Sequence, residues 1–314
     1  MKCVLFLSLL LLASCQSLPK SGDESSIAKL ESNFVQIDSY FRHQFIEVEG
    51  VRWHFVSGGN PKGKTVLFLH GYPESWYSWT PLISHLDPAL KYIFLDMKGY
   101  GRSEDRDDNF NWLHISNQII QLMDTLKIEK FYVVGHDWGT HIGGVLVLNH
   151  RDRIRGFVRL GGGLKFQNIE ELYGRLPYLK ENQDKEYLRR TLARGQSVFF
   201  YYGENYLDLL NAKDRQYLVY EYLRPHLSDS LSKYFNPTTW DFNSSINTLA
   251  KTHFSFPVLD VILLKDKLNP QQSIARIKKE FPGRNLMALQ TGHFPMWEKP
   301  KLLAETLNFF INLN

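Results

Sequence analysis

Short runs of β-branched, aromatic and aliphatic residues recur along the chain. Between several of them, apolar positions return every three to four residues. The β-rich runs fall at Phe45–Val48, Val51–Val56, Val66–Leu69, Tyr92–Leu95, Phe131–Val134, Gly156–Leu160, Val258–Leu264 and Asn285–Leu289. In Trp112–Leu126, the residues Leu113, Ile115, Ile119, Leu122, Met123 and Leu126 recur at helical spacing, and Leu302–Ile311 repeats that pattern at the C-terminus. Two β runs followed by βα repeats predict an α/β protein with a mainly parallel sheet and helices on both faces. The stretch 164–249 breaks the alternation. It reads as helical and carries ten of the sixteen tyrosines. We expect an inserted helical cap there, between core segments 43–163 and 250–314. A helical subdomain lying on the sheet without touching the chemistry would give the same pattern; the tyrosine density favours a cap facing a cavity.

The first residues read differently. Lys2 precedes the apolar run Val4–Leu12, which is too short to span a bilayer and reads as the core of a secretory signal. Leu12-Ala13-Ser14-Cys15 resembles the lipobox of bacterial lipoproteins. That resemblance implies a signal peptide over 1–14 and a lipidated Cys15. It also implies a tether over 15–42 and attachment to the extracytoplasmic side of a cell or outer membrane. Gln16, in place of the Asp that signals inner-membrane retention, favours the outer membrane. An ordinary signal peptide with an incidental Cys15 is the alternative. Two cysteines exclude a disulfide framework, and a formal charge of +4 gives no footprint for nucleic acid.

The candidate chemistry sits on turns that follow strands. In Gly135-His136-Asp137-Trp138-Gly139, glycines stand two before and two after Asp137, where a β run gives way to a helix. That is the spacing of a nucleophile elbow, with Asp where Ser is usual. Asp is also a favoured N-cap, so the motif alone fits a helix cap equally well. His70-Gly71-Tyr72-Pro73-Glu74 follows Val66–Leu69 and can turn backbone amides inward. With the amide of Trp138 these can form an oxyanion hole worth about 3 kcal/mol per donor. Asp266 and His293 follow the last two β runs. Asp137, Asp266 and His293 thus keep the nucleophile–acid–base chain order of an α/β hydrolase. His136 reads as structural.

Four stretches carry a resemblance: HGYPESWYSW at 70–79, DMKGYGRSE at 96–104, GHDWGT at 135–140 and GHFPMWEKP at 292–300. Over about residues 43–312 the chain resembles the epoxide hydrolase and haloalkane dehalogenase branch of the α/β-hydrolase superfamily. The resemblance implies an eight-stranded, mostly parallel sheet with an inserted helical cap. It implies that Asp137 attacks carbon, His293 activates water, Asp266 orients His293, and the backbone amides of Tyr72 and Trp138 hold an oxyanion. It implies a small hydrophobic substrate and no cofactor or metal. For an epoxide, two cap tyrosines would donate to the oxirane oxygen. Tyr234 resembles one of them, and Tyr202, in Phe199-Phe200-Tyr201-Tyr202, lies in the region of the other. A dehalogenase would use halide donors instead, with Trp138 as one and Trp240 the single Trp of 164–249. A lipid-tethered binding module without turnover is the reading outside enzymes. The absence of Gly-x-Ser-x-Gly argues against a serine esterase.

Overall fold

The structure, a computed structural model, describes residues 41–161, 170, 173–174, 177–193, 209–222, 224, 226–236, 248–249, 252–267, 274–280 and 282–314. Cys15, Tyr202 and Trp240 lie outside the described residues, as does the tether up to residue 40.

Eight strands form one sheet: β1 (Arg42–Val48), β2 (Val51–Gly59), β3 (Thr65–Leu69), β4 (Lys91–Leu95), β5 (Phe131–His136), β6 (Ile154–Leu160), β7 (Val258–Leu263) and β8 (Asn285–Leu289). Their spatial order is β1-β2-β4-β3-β5-β6-β7-β8. β1 and β2 form an antiparallel hairpin, β2 runs antiparallel to β4, and every later pairing is parallel. The hairpin closes at Glu49-Gly50, both at positive φ (51° and 78°), the backbone that a two-residue turn between twisted strands requires. β3, β5 and β7 are buried at every position, as strands covered on both faces must be.

The helices are α1 (Trp112–Thr125), α2 (Trp138–Asn149), α3 (Tyr178–Glu181), α4 (Lys185–Ala193), α5 (Ala212–Tyr222), α6 (Leu227–Tyr234), α7 (Ile274–Glu280), α8 (Pro295–Glu298) and α9 (Pro300–Leu313). The Asn111 side chain caps α1 by accepting from the amides of Leu113 and His114 at 3.0 and 3.2 Å. Ile115, Ile119, Leu122 and Met123 bury the apolar stripe of α1, while Leu113, expected on it, is 40% exposed. Within 164–249 every described element is helical.

A buried carboxylate ties the front of the sheet together. Asp96, at the end of β4, is fully buried and accepts from the amides of Trp76 and Arg102 at 2.8 and 2.9 Å. It also bonds His54 Nδ1 on β2 at 2.6 Å. Burial raises this carboxyl, but the charge and hydrogen bond of His54 outweigh burial and hold it at about 2.

The chain runs from β3 to β4 on one side and then to β5 on the other. Such a reversal opens a crevice at the carboxyl ends of the strands. The turns after β3, β5, β7 and β8, which carry the expected site residues, all lie at that end.

Candidate active site

Asp137 ends β5 and precedes α2 with φ 49° and ψ −118°, a backbone that a non-glycine residue holds at a cost of about 1–3 kcal/mol. It occupies the N-cap position of α2, yet its side chain makes no capping bond. The carboxylate turns away from the helix: Oδ1 accepts the amide of Tyr72 at 2.8 Å and Oδ2 lies 3.6 Å from His293 Nε2. The flanking glycines are required by close approach. A Cβ at Gly135 would lie 2.8 Å from the Thr140 Cα, and one at Gly139 would lie 2.7 Å from the His70 carbonyl oxygen.

Both sides of the turn after β3 are fixed. The Gly71 amide donates to Glu74 Oε2 at 2.9 Å. His70 Nε2 accepts from the Met97 amide at 3.0 Å, so its proton sits on Nδ1 and is donated to the Gly71 carbonyl at 2.9 Å. Burial lowers the pKa of His70, in keeping with a neutral ring. The Tyr72–Pro73 peptide is cis. The Tyr72 amide, between these anchors, points at Asp137 without having to reorganise.

His293 follows β8 and is 4% exposed. Its Nδ1 lies 3.0 Å from Oδ2 of Asp266, whose side chain is fully buried after β7. A carboxylate there fixes the proton on Nδ1 and turns Nε2 toward Asp137. His136, expected to be structural, sits directly behind this pair. Its Nδ1 bonds Glu74 Oε2 at 2.7 Å and its Nε2 bonds the backbone carbonyl of His293 at 2.8 Å. Both neighbours are acceptors, so each bond needs an N–H from the ring. Glu74 and His136 therefore join the β3 turn to the His293 loop, which is also held by Gly292 donating to Glu298 at 2.9 Å.

The charges of the site are coupled. Burial raises the Asp137 carboxyl, but the hydrogen bond and charge of His293, the charge of His136 and the Tyr72 amide carry it well below the usual carboxylate range. Burial lowers His293, but the Asp266 charge and hydrogen bonds to Asp137 and Asp266 raise it well above its ordinary value. Burial also raises Glu74, which the charge and hydrogen bond of His136 bring below its ordinary value. Asp137 keeps 22% of its side chain exposed while its partners are buried, so the carboxylate is the reachable member of the set. Among the described residues, no group of three or more His, Cys, Asp or Glu could hold a metal ion.

Aromatic side chains from 164–249 meet the residues beside Asp137. Phe235 stands edge-on to Tyr72 at 4.9 Å and to Trp138 at 5.4 Å between ring centroids. Tyr178 lies 6.5 Å from Phe235. Tyr234, one residue before Phe235, is fully buried between Tyr100 and Phe110, with centroids at 5.1 and 5.0 Å. Burial, and after it the charges of Asp105 and Asp107, push its hydroxyl well above the ordinary tyrosine pKa. Phe235, missed in the sequence, is the described residue of this segment that contacts both neighbours of the Asp137 carboxylate. The one signal for it was its place in Lys233-Tyr234-Phe235-Asn236.

The geometry defines a class of protein. The chain matches the family model of the alpha/beta hydrolase fold over residues 64–300, and it belongs to that family. Similar curated proteins include epoxide hydrolases. The chain is 37% identical over 121 residues to epoxide hydrolase 3 of Siraitia grosvenorii, covering 38% of each chain. It is 34% identical over 121 residues to epoxide hydrolase B of Mycobacterium tuberculosis, covering 37% of this chain and 34% of that one. The matched stretch thus spans less than two-fifths of these curated relatives. An epoxide hydrolase mutant from Vigna radiata superposes with a TM-score of 0.73 at 22% identity, over 88% of this chain and 100% of that one. That likeness shows the fold.

Proposed function

We propose that this chain opens epoxides to diols through a covalent ester on Asp137. The observation that carries the reading is the Asp137 carboxylate, held out of the helix cap and reachable, with His293 and Asp266 aligned behind it. The epoxide hydrolase relatives support it. An ionised carboxylate needs no base to attack a saturated carbon. Asp137 attacks an oxirane carbon, the C–O bond breaks toward oxygen, and that oxygen takes a proton from the cap. Tyr234 is the described candidate donor.

Ester formation removes the negative charge of Asp137. One cause of the raised pKa of His293 disappears with it, so His293 releases its proton more readily and becomes a base when one is needed. Its Nε2 then takes a proton from water, and the water oxygen adds to the ester carbonyl of Asp137. The Tyr72 amide already meets an Asp137 oxygen at 2.8 Å. The Trp138 amide is the first of α2, where helical geometry supplies no intrahelical acceptor. These two amides hold the tetrahedral oxyanion; as it collapses, the proton that His293 took from water passes to the leaving alkoxide to complete the diol, and the Asp137 carboxylic acid then loses its proton to restore the carboxylate.

The test is a turnover screen of terminal and aryl epoxides against matched haloalkanes. Diol formation supports the reading. Halide release without diol would make the chain a dehalogenase on the same triad, and binding without turnover of either would make it a binding module.

The N-terminal motif adds a location. We propose that Cys15 carries lipid and holds the hydrolase on the extracytoplasmic face of a membrane. Full-length protein should fractionate with membranes and Cys15→Ser should be soluble; an unmodified Cys15 on a soluble mature protein would overturn this.

A further inference from the structure

We propose that Asp105 is a positioning residue. Through Ser230 and Lys233 its carboxylate docks α6 on the loop after β4, and so fixes Phe235 against the two neighbours of the Asp137 carboxylate. The kinetic consequences rest on the ester mechanism proposed above; the docking does not.

The loop after β4 is tied to the sheet before α6 meets it. Asp96 accepts from the Arg102 amide at 2.9 Å, the Glu104 amide donates to the Arg52 carbonyl of β2 at 2.9 Å, and the Gly99 amide donates to the Glu104 carbonyl at 3.1 Å. Gly99 holds φ 71°, and a Cβ there would lie 2.5 Å from the Ser230 Cβ, so the loop is bare where α6 lands. Ser230 is fully buried, and its hydroxyl lies 2.7 Å from Asp105 Oδ2, closer than the His226 carbonyl at 3.1 Å. Three residues on, Lys233 Nζ lies 2.6 Å from Asp108, 3.5 Å from Asp105 and 5.4 Å from the centre of the Phe110 ring. Burial lowers the pKa of Lys233, but hydrogen bonds to Asp108 and Asp229 and the charge of Asp105 raise it above its ordinary value, so it stays charged. Tyr234 follows between Tyr100 and Phe110, and Phe235 then meets Tyr72 and Trp138.

α6 has eight residues, and a helix that short keeps its place by docking rather than by its own propensity. A separate tie holds α5: the Tyr77 hydroxyl donates to Asp214 at 2.7 Å, and the Tyr77 and Tyr217 rings stack at 3.9 Å. Loss of Asp105 therefore loosens α6 and leaves α5 in place. Ring opening draws on 164–249 for its proton and its apolar wall. Ester hydrolysis draws on His293, Asp266 and the amides of Tyr72 and Trp138, which lie outside that segment. The docking of α6 bears on the first step and not on the second.

Two measurements on the full chain test this. Hydrogen exchange read by mass spectrometry should be about 10-fold faster in Asp105→Ala than in wild type over 227–236, the order expected of one lost hydrogen bond to a charged group, and unchanged over α5 and α9. Rapid-quench intact-mass analysis at saturating epoxide should show the Asp137 ester forming about 10-fold more slowly and decaying at the wild-type rate. Ser230→Ala should add nothing further in the Asp105→Ala background, because the two residues act as one contact. Asp105→Asn keeps an acceptor for Ser230 and loses the charge facing Lys233. It should slow ester formation about 3-fold, and it serves if the Ala variant fails to fold. Unchanged exchange over 227–236 overturns the proposal whether or not an epoxide reacts. Faster exchange with unchanged ester formation, or with both steps slowed equally, overturns the positioning role. If wild type forms no ester, the mechanism has failed, and the exchange result alone decides the docking.

Discussion

Gly71→Ala places one methyl group against the proposed nucleophile. A Cβ built at Gly71 lies 2.7 Å from Asp137 Oδ1 and 2.9 Å from its Cγ, and it overlaps the Asp137 Cβ; ordinary contact begins at 3.4 Å. The Asp137 Cβ is the tightest of these contacts, so Asp137 or the turn must withdraw by roughly 1 Å, and displacements of about 1 Å cost on the order of 100-fold in rate where attack is geometric. Withdrawal of the turn would also stretch the 2.8 Å bond from the Tyr72 amide. Overpacking of this kind costs about 1–3 kcal/mol of stability. The variant should fold, with a urea midpoint below wild type, and should form the Asp137 ester about 100-fold more slowly. Rapid-quench intact-mass analysis reads ester formation, and urea unfolding reads stability. If Asp137 merely capped α2, the substitution would cost stability alone. Ester formation within threefold of wild type would refute the reasoning.

Tyr234→Phe should slow ring opening about 10²- to 10⁴-fold, the usual worth of a positioned acid, with little change in melting temperature. Unchanged single-turnover kinetics would reassign Tyr234 to the aromatic stack with Tyr100 and Phe110. Acid should act on the fold through Asp96. Its folded pKa lies below its unfolded value, so its stabilisation is complete above about pH 4 and is lost as pH falls through about 2. Urea midpoints from pH 6 to pH 2 should fall steeply in wild type and less steeply in Asp96→Asn; parallel curves would contradict this.

The strands were legible because a sheet covered on both faces writes continuous apolar runs into the chain, and β3, β5 and β7 are such runs. Asp137 was legible through its glycines, whose missing side chains are a local steric requirement. The N-cap alternative was open in the sequence and closes on a fact of three dimensions, the absence of a capping bond. What the sequence could not supply were partnerships across long separations. Glu74 stood within a quoted motif, but its bond to His136 spans 62 residues, and that of His136 to His293 spans 157. The aromatic wall was hidden for a different reason. Neighbouring residues at a helix end point about 100° apart, so Tyr234 and Phe235 divide between two environments that only the docking of α6 distinguishes.

The central claim is that Asp137 becomes an ester and that His293 is needed to hydrolyse it. Intact-mass analysis of His293→Gln after exposure to an epoxide that wild type turns over tests it most directly. The account predicts a gain equal to the whole epoxide, mapped to Asp137 and missing from an Asp137→Ala counterpart. No adduct on a folded His293→Gln protein, or an adduct mapped elsewhere, would contradict it.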